Sequence, residues 1–303
     1  MDQVSAIARA VLYEGYILWP YRRSAAKNRS RWTFGAVMPE AWSAEHPDDR
    51  WLLQGQYLVE GPGVVSATVR FLHVVQRQPR DAAGRPVDAL DGHLAWEEAS
   101  EREVAVPAAG RAPLAIPAGF DEEPVAGGTI MRSWERIDGW VEAITEPLGP
   151  ELARITVRVA NTTAWAGVDR AAALRRSLVS THVALHVEGG AFVSLTDPPE
   201  ALRTYAEACE NAGTWPVLVG DRSTMLSAPI LLEDFPRIAP ESPGDLFDGG
   251  EIDQLLILNV LALSDEERRE MRDSDPRARE ILDRCAALGP EDLMELHGRW
   301  RRD

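Results

Sequence analysis

"GQYLVEGPGVVSATVRFLHVVQR", residues 55–77, decides the fold class of this chain. Two apolar runs flank Gly61-Pro62-Gly63, and the second run alternates. Val65, Ala67, Val69, Phe71, His73 and Val75 fall on one face, with Ser66, Thr68 and Arg70 on the other. A period of two sends successive side chains to opposite sides of a strand; on a helix it would scatter apolar groups around the surface. The stretch therefore predicts two half-buried strands joined by a glycine-rich turn.

The same pattern recurs outward along the chain. "ARITVRVANTT" (153–163) sets Ile155, Val157 and Val159 against Arg154, Thr156 and Arg158. "SLVSTHVALHVEGGAFVSL" (177–195) reads as a hairpin turning on Gly189-Gly190, because glycine supplies the positive φ angles of a two-residue turn. "TWPVLVG" (214–220) and "LSAPILLED" (226–234) are further strand candidates. Residues 78–129 are rich in Pro, Ala, Gly and acidic groups, and predict a long loop excursion with at most a short strand at 102–108.

Helical signals frame this β region. Val4, Ile7, Ala8, Val11 and Leu12 recur at helical spacing. Asp197-Pro198-Pro199-Glu200 offers an N-cap, a first-turn proline and a capping box for a helix to about residue 211–213. From Glu251 the chain reads as helical, with Ser264 and Glu267 as a second capping box, and with Asp275-Pro276 and Gly289-Pro290 opening further helices. The expected fold is α+β, a largely antiparallel sheet or sandwich. An N-terminal helix and arm (1–50) would front a β-rich core (51–235), and an acidic helical region (236–303) would follow it.

Composition narrows the function classes. A hydrophobic share of 45% with 26% charged residues is that of a globular protein. The net charge of −16 argues against broad binding to nucleic acid or anionic membranes. The longest apolar run, 252–263, falls short of the roughly 20 residues that span a bilayer and contains Asp253. The acidic start carries no secretory pattern, which implies a cytoplasmic protein with Cys209 and Cys285 as thiols. In that setting the sequons at Asn28 and Asn161 are chance matches.

No glycine-rich phosphate loop, nucleophile elbow or paired CxxC is present, so no cofactor is expected. His182 and His186 have a metal-like spacing, but on a strand four residues span about 13 Å. Both rings cannot reach one zinc ion, and no metal site is expected. They share a face with Glu188, which makes the three residues either polar groups on the wetter side of a sheet or a ligand site. His73, on an apolar face, reads as a core histidine bonded to a backbone carbonyl. Asp245, Asp248, Glu251 and Asp253 lack the alternation of a calcium loop and fit helix N-terminal charges. Ser223 and Thr224 read as turn residues with no adjacent base.

One stretch opposes the charge of the whole. Residues 1–42 carry a net +3 and residues 233–303 a net −9. Within the first lie Trp19, Tyr21, Arg22, Arg23, Arg29, Arg31 and Trp32, the residue types that interface centres favour. Two readings stand level. The stretch docks a partner, or it packs on the sheet while its arginines pair with the acidic C-terminal helices.

"VLYEGYILWPYRRSAAKNRSRWTFGAVMP" (11–39) resembles the opening of an uncharacterised family encoded in gene clusters for actinobacterial-type [NiFe] hydrogenases. The phrases at 220–263 and 275–298 resemble the same family. The resemblance implies an accessory role in hydrogenase assembly, maturation or electron transfer, and a hydrogenase subunit or precursor as partner. Electron transfer fits least, since two cysteines cannot ligate an iron–sulfur cluster alone. Alternatives are an enzyme using His182, His186 and Glu188, and a homo-oligomeric structural protein.

Overall fold

The structure, a computed structural model, describes residues 3–29, 31–32, 35–237, 246–248 and 253–289. In chain order it contains α1 (Gln3–Leu12), α2 (Glu40–Ser43), β1 (Leu52–Glu60), β2 (Val64–Asp81), β3 (Ala89–Leu90), β4 (His93–Leu94), β5 (Trp96–Ala105), β6 (Gly110–Ile116) and β7 (Gly119–Val125). There follow β8 (Gly128–Trp134), β9 (Ile137–Gly149), β10 (Leu152–Asn161), α3 (Arg170–Leu174), β11 (Val179–Glu188), β12 (Ala191–Phe192), α4 (Arg203–Glu207), β13 (Trp215–Val219) and β14 (Asp221–Ala228). Helices α5 (Asp253–Leu261), α6 (Asp265–Ser274) and α7 (Pro276–Ala287) complete the set.

β3 pairs with β4 in a separate two-stranded ribbon, and the other strands form two large antiparallel sheets. One runs β12-β1-β10-β9-β6; the other runs β13-β14-β11-β2-β8-β7, with β5 on the opposite edge of β2. Alternation packs their inner faces together. Tyr57, Val141, Val157 and Val159 of the first sheet meet Val69, Phe71, Val183 and Leu185 of the second in one apolar core. The fold is thus α+β, a sandwich with C-terminal helices. The far face of the second sheet presents Leu72, Val74 and Trp96, and here the arm and α5–α7 cover it in a second core. Leu12, Tyr16, Ile17, Tyr21 and Trp32 of the arm pack with Leu256, Ile257, Met271 and Ile281 of the helices.

Residues 177–195 do not make a hairpin. β11 pairs with β2 and β14 in the second sheet, while β12 pairs with β1 in the first, so the chain changes sheets at Gly189-Gly190. Gly61-Pro62-Gly63 makes the reverse crossing from β1 to β2. The two corners touch: a Cβ on Gly190 would lie 2.8 Å from the Glu60 carbonyl oxygen and 3.1 Å from Gly63 Cα. Glycine is required here by close backbone approach as well as by turn geometry.

The supposed excursion is largely ordered as strands. Most of 78–129 joins the end of β2 or forms β5, β6 and β7. β7 is an exposed edge strand carrying Asp121, Glu122 and Glu123, so its apolar alternation is weak while its backbone still pairs with β8. Ser223 and Thr224 also lie in a strand, β14. The Asp197 helix begins later than expected, as a 3₁₀ turn at Glu200–Leu202 running into α4, without a side-chain cap. The Ser264–Glu267 capping box and the Asp275 cap of α7 form as the sequence predicts. The helix expected after Gly289-Pro290 lies outside the described residues, as do Asp245 and Glu251. Among the described residues, no helix is long and apolar enough to cross a membrane.

Candidate functional site

The arm is a latched segment. Tyr16 Oη donates to Asp275 Oδ2 at 2.6 Å, and Tyr21 Oη to the Leu246 carbonyl at 2.7 Å. The Trp19 amide donates to Asp248 Oδ2 at 3.0 Å, which gives that acidic residue a structural partner. Arg22 pairs with Glu267 at 3.1 Å and with Glu270 at 3.9 Å. Arg23 pairs with Asp88 at 2.6 Å, while its amide donates to Ser274 Oγ. Arg22 therefore meets acidic groups of α6, whereas the Arg23 side chain pairs outside the C-terminal helices.

This placement corrects part of the expected docking surface. Tyr21 is fully buried, and Arg31 and Trp32 are 6% and 5% exposed, so none of the three offers an outer docking face. Arg31 lies over the Trp96 ring at 3.8 Å and donates to the carbonyls of Tyr16 and Glu97. Its guanidinium sits below its ordinary pKa because burial disfavours the charge. Tyr21 and Trp32 hold left-handed φ angles of 58° and 63°, unusual for aromatic residues. Trp19, Arg22 and Arg23 are half-buried, and Arg29 is exposed.

The histidine cluster divides as well. His182 is fully buried beneath α1, and its Nδ1–H donates to the Ser180 carbonyl at 2.7 Å. Burial pulls its pKa down to about 4. His186 and Glu188 remain exposed at the other end of β11, with His186 beside Thr224 Oγ1 at 3.4 Å. The expected wet face is absent at His182 because α1 packs across that end of the strand. His73 is buried as expected; the backbone of Glu135 and Arg175 lies against its ring, but neither ring nitrogen makes a well-formed hydrogen bond among the described residues. Burial likewise lowers its pKa to about 4. Among the described residues, no three His, Cys, Asp or Glu side chains gather as metal ligands.

The arm instead forms one wall of a cleft of about 830 Å³. β2, β5, β8 and α3 supply the rest, and the lining includes Arg23, Arg29, Arg31, Arg77, Arg170 and Arg175. Among the described residues, Glu97 is the only carboxylate residue in the lining. Arg77 is held by Glu98 at 2.7 Å and by backbone carbonyls of Leu94, Asp273 and Ser274. Arg170 pairs with Asp49 and Arg175 with Glu97. Sequence reasoning missed Arg77, Arg170 and Arg175. The basic run "DRAAALRRS" (169–177) was the available signal for two of them. Arg77 stood at the end of an apolar strand and gave none.

No protein-family model matches this chain, and no curated protein matches it.

Proposed function

We propose that the chain is a non-enzymatic accessory protein that holds an acidic segment of a [NiFe] hydrogenase subunit or precursor during assembly, in the cytoplasm. The observation that carries the binding role is the cleft: six arginines line it, in a chain of net charge −16. Local charge opposite to the global charge steers an acidic partner to one face. The hydrogenase assignment comes from the resemblance at 11–39, 220–263 and 275–298. Arg23 and Arg29 line the cleft, Arg29 exposed and Arg23 half-buried, and Trp19 precedes them in the arm.

The test is purification of the chain from its native host, probing the eluate for hydrogenase subunits. A subunit should co-purify at low salt, be released as salt rises, and be lost with Arg29→Glu. Co-purification unchanged by both salt and Arg29→Glu would remove the cleft from the docking role. Absence of any hydrogenase subunit would remove the partner.

A further inference from the structure

We propose that the cleft seats a compact oxyanionic group carrying at least two negative charges, a phosphate or a pair of carboxylates. This rests on reading the cleft as the binding seat, but not on the identity of the partner.

Charge is the first argument. Arg23, Arg77, Arg170 and Arg175 are matched by Asp88, Glu98, Asp49 and Glu97. Arg29 and Arg31 have no carboxylate at ion-pair distance among the described residues. The Arg29 guanidinium makes one long hydrogen bond, 3.4 Å to the Ser24 carbonyl. Asp275 and Glu97 act on Arg31 at longer range, but the Asp275 carboxylate already accepts from Tyr16 Oη and Trp96 Nε1, and Glu97 accepts from Arg175.

Hydrogen bonding is the second. Trp32 lines the cleft at 5% exposure, and its buried indole N–H has no acceptor among the described residues. A buried donor left without an acceptor is destabilising. The one carboxylate among the described lining residues, Glu97, is engaged by Arg175 at 2.9 Å. What the cleft lacks is an acceptor with negative charge, and an oxyanion supplies both at once. A neutral apolar guest would leave both needs unmet.

Rigidity is the third. Arg31 is clamped by two carbonyls and by the Trp96 face before any ligand arrives, so little side-chain entropy remains to be lost there. Guanidinium groups match phosphate and carboxylate geometry through paired N–H donors. At about 830 Å³ the cleft exceeds one such group, so the group enters on a larger body.

The test is calorimetric titration of the purified protein with inorganic phosphate at fixed ionic strength, repeated with Arg29→Gln and with Arg203→Gln. Arg203 is a surface arginine paired with Glu200 outside the cleft lining. Saturable binding is expected, weakened about tenfold or more by Arg29→Gln and unchanged by Arg203→Gln. No saturable binding, or equal loss in both variants, overturns the proposal. Adding phosphate to the partner complex separates the sources. Displacement of the partner upholds the seat and places the oxyanion on the partner. Phosphate binding that leaves the partner in place upholds the seat for a free small molecule and removes docking from the cleft. A partner that needs Arg29 while phosphate neither binds nor competes overturns the oxyanion seat and spares the docking reading.

Discussion

Tyr16 Oη and Asp275 Oδ2 lie 2.6 Å apart across 259 residues of sequence, and both side chains are buried. The bond ties the arm to the first turn of α7. Asp275 also caps that helix through the Arg277 amide at 2.8 Å and accepts from Trp96 Nε1 at 3.1 Å. One carboxylate thus joins arm, sheet and C-terminal helices. Tyr16→Phe removes one donor and should cost about 1–3 kcal/mol. Asp275→Ala removes the cap and orphans two donors, and should cost more, about 3–5 kcal/mol. Urea denaturation of both variants checks the order; Asp275→Ala at wild-type stability would mean that the latch is not formed.

The touching corners make a second prediction. A Cβ on Gly190 meets backbone at 2.8 Å, whereas one on Gly149 meets nothing within 4 Å. Gly190→Ala should therefore destabilise by about 1–3 kcal/mol. Gly189→Ala, at φ +79°, should cost about 1–2 kcal/mol. Gly149→Ala should be neutral in the same thermal scan. Equal effects at Gly190 and Gly149 would contradict the contact between Gly63 and Gly190.

These corners also mark where sequence reasoning ran out. Alternation at Val69, Phe71, Ile155, Val157, Val183 and Leu185 identified inward faces, and all six are buried. Alternation states which side a residue faces, not which strand lies beside it. Gly189-Gly190 fits a hairpin and a change of sheet equally well, and only the pairing of Phe192 with Val59 separates them. Strand β7 was hidden for a different reason: with Asp121, Glu122 and Glu123 exposed at an edge, it has no buried face to announce it. The candidate site was half legible. The sequence located the Arg and aromatic stretch, but Arg31 turns inward because Trp96 and the Glu97 carbonyl, 65 and 66 residues away, receive it.

Two buried histidines set a pH response. His73 and His182 are each lowered from 6.5 to about 4, by burial first and then, among other influences, by Arg102 near His73 and Arg70 near His182. Between those values the unfolded chain binds protons that the folded chain does not, so stability rises with pH across this window and levels off above 6.5. Each histidine contributes on the order of 3 kcal/mol to that rise. Asp275 has the opposite sense: burial raises its carboxyl, so stability falls with pH from 3.8 up to its raised value. His73→Leu isolates one contribution. It removes two buried nitrogens that make no well-formed hydrogen bond among the described residues, and should match or exceed wild-type stability at pH 7 with a shallower slope between pH 4 and 6.5. Denaturation at pH 5 and pH 7.5 reads this directly, and an unchanged slope would show that His73 does not titrate on unfolding.

The neighbouring arginines of the arm should respond in opposite ways to charge reversal. Arg29 is exposed and, among the described residues, bonded only to the Ser24 carbonyl, so Arg29→Glu should leave the melting temperature nearly unchanged while weakening whatever the cleft binds. Arg31 is 6% exposed and faces two carbonyl oxygens, with Asp275 acting on it at longer range. Arg31→Glu would place an unpaired carboxylate against those acceptors, at a cost of about 3–5 kcal/mol. That loss is a large part of a domain's usual stability of about 5–15 kcal/mol, so the variant should unfold or melt far below wild type. Binding lost in Arg31→Glu would then report unfolding, whereas binding lost in Arg29→Glu reports the cleft. Differential scanning fluorimetry on the two single variants separates them before any ligand is tried. An Arg31→Glu protein that melts with wild type would show that the side chain points outward and that Trp96 does not receive it.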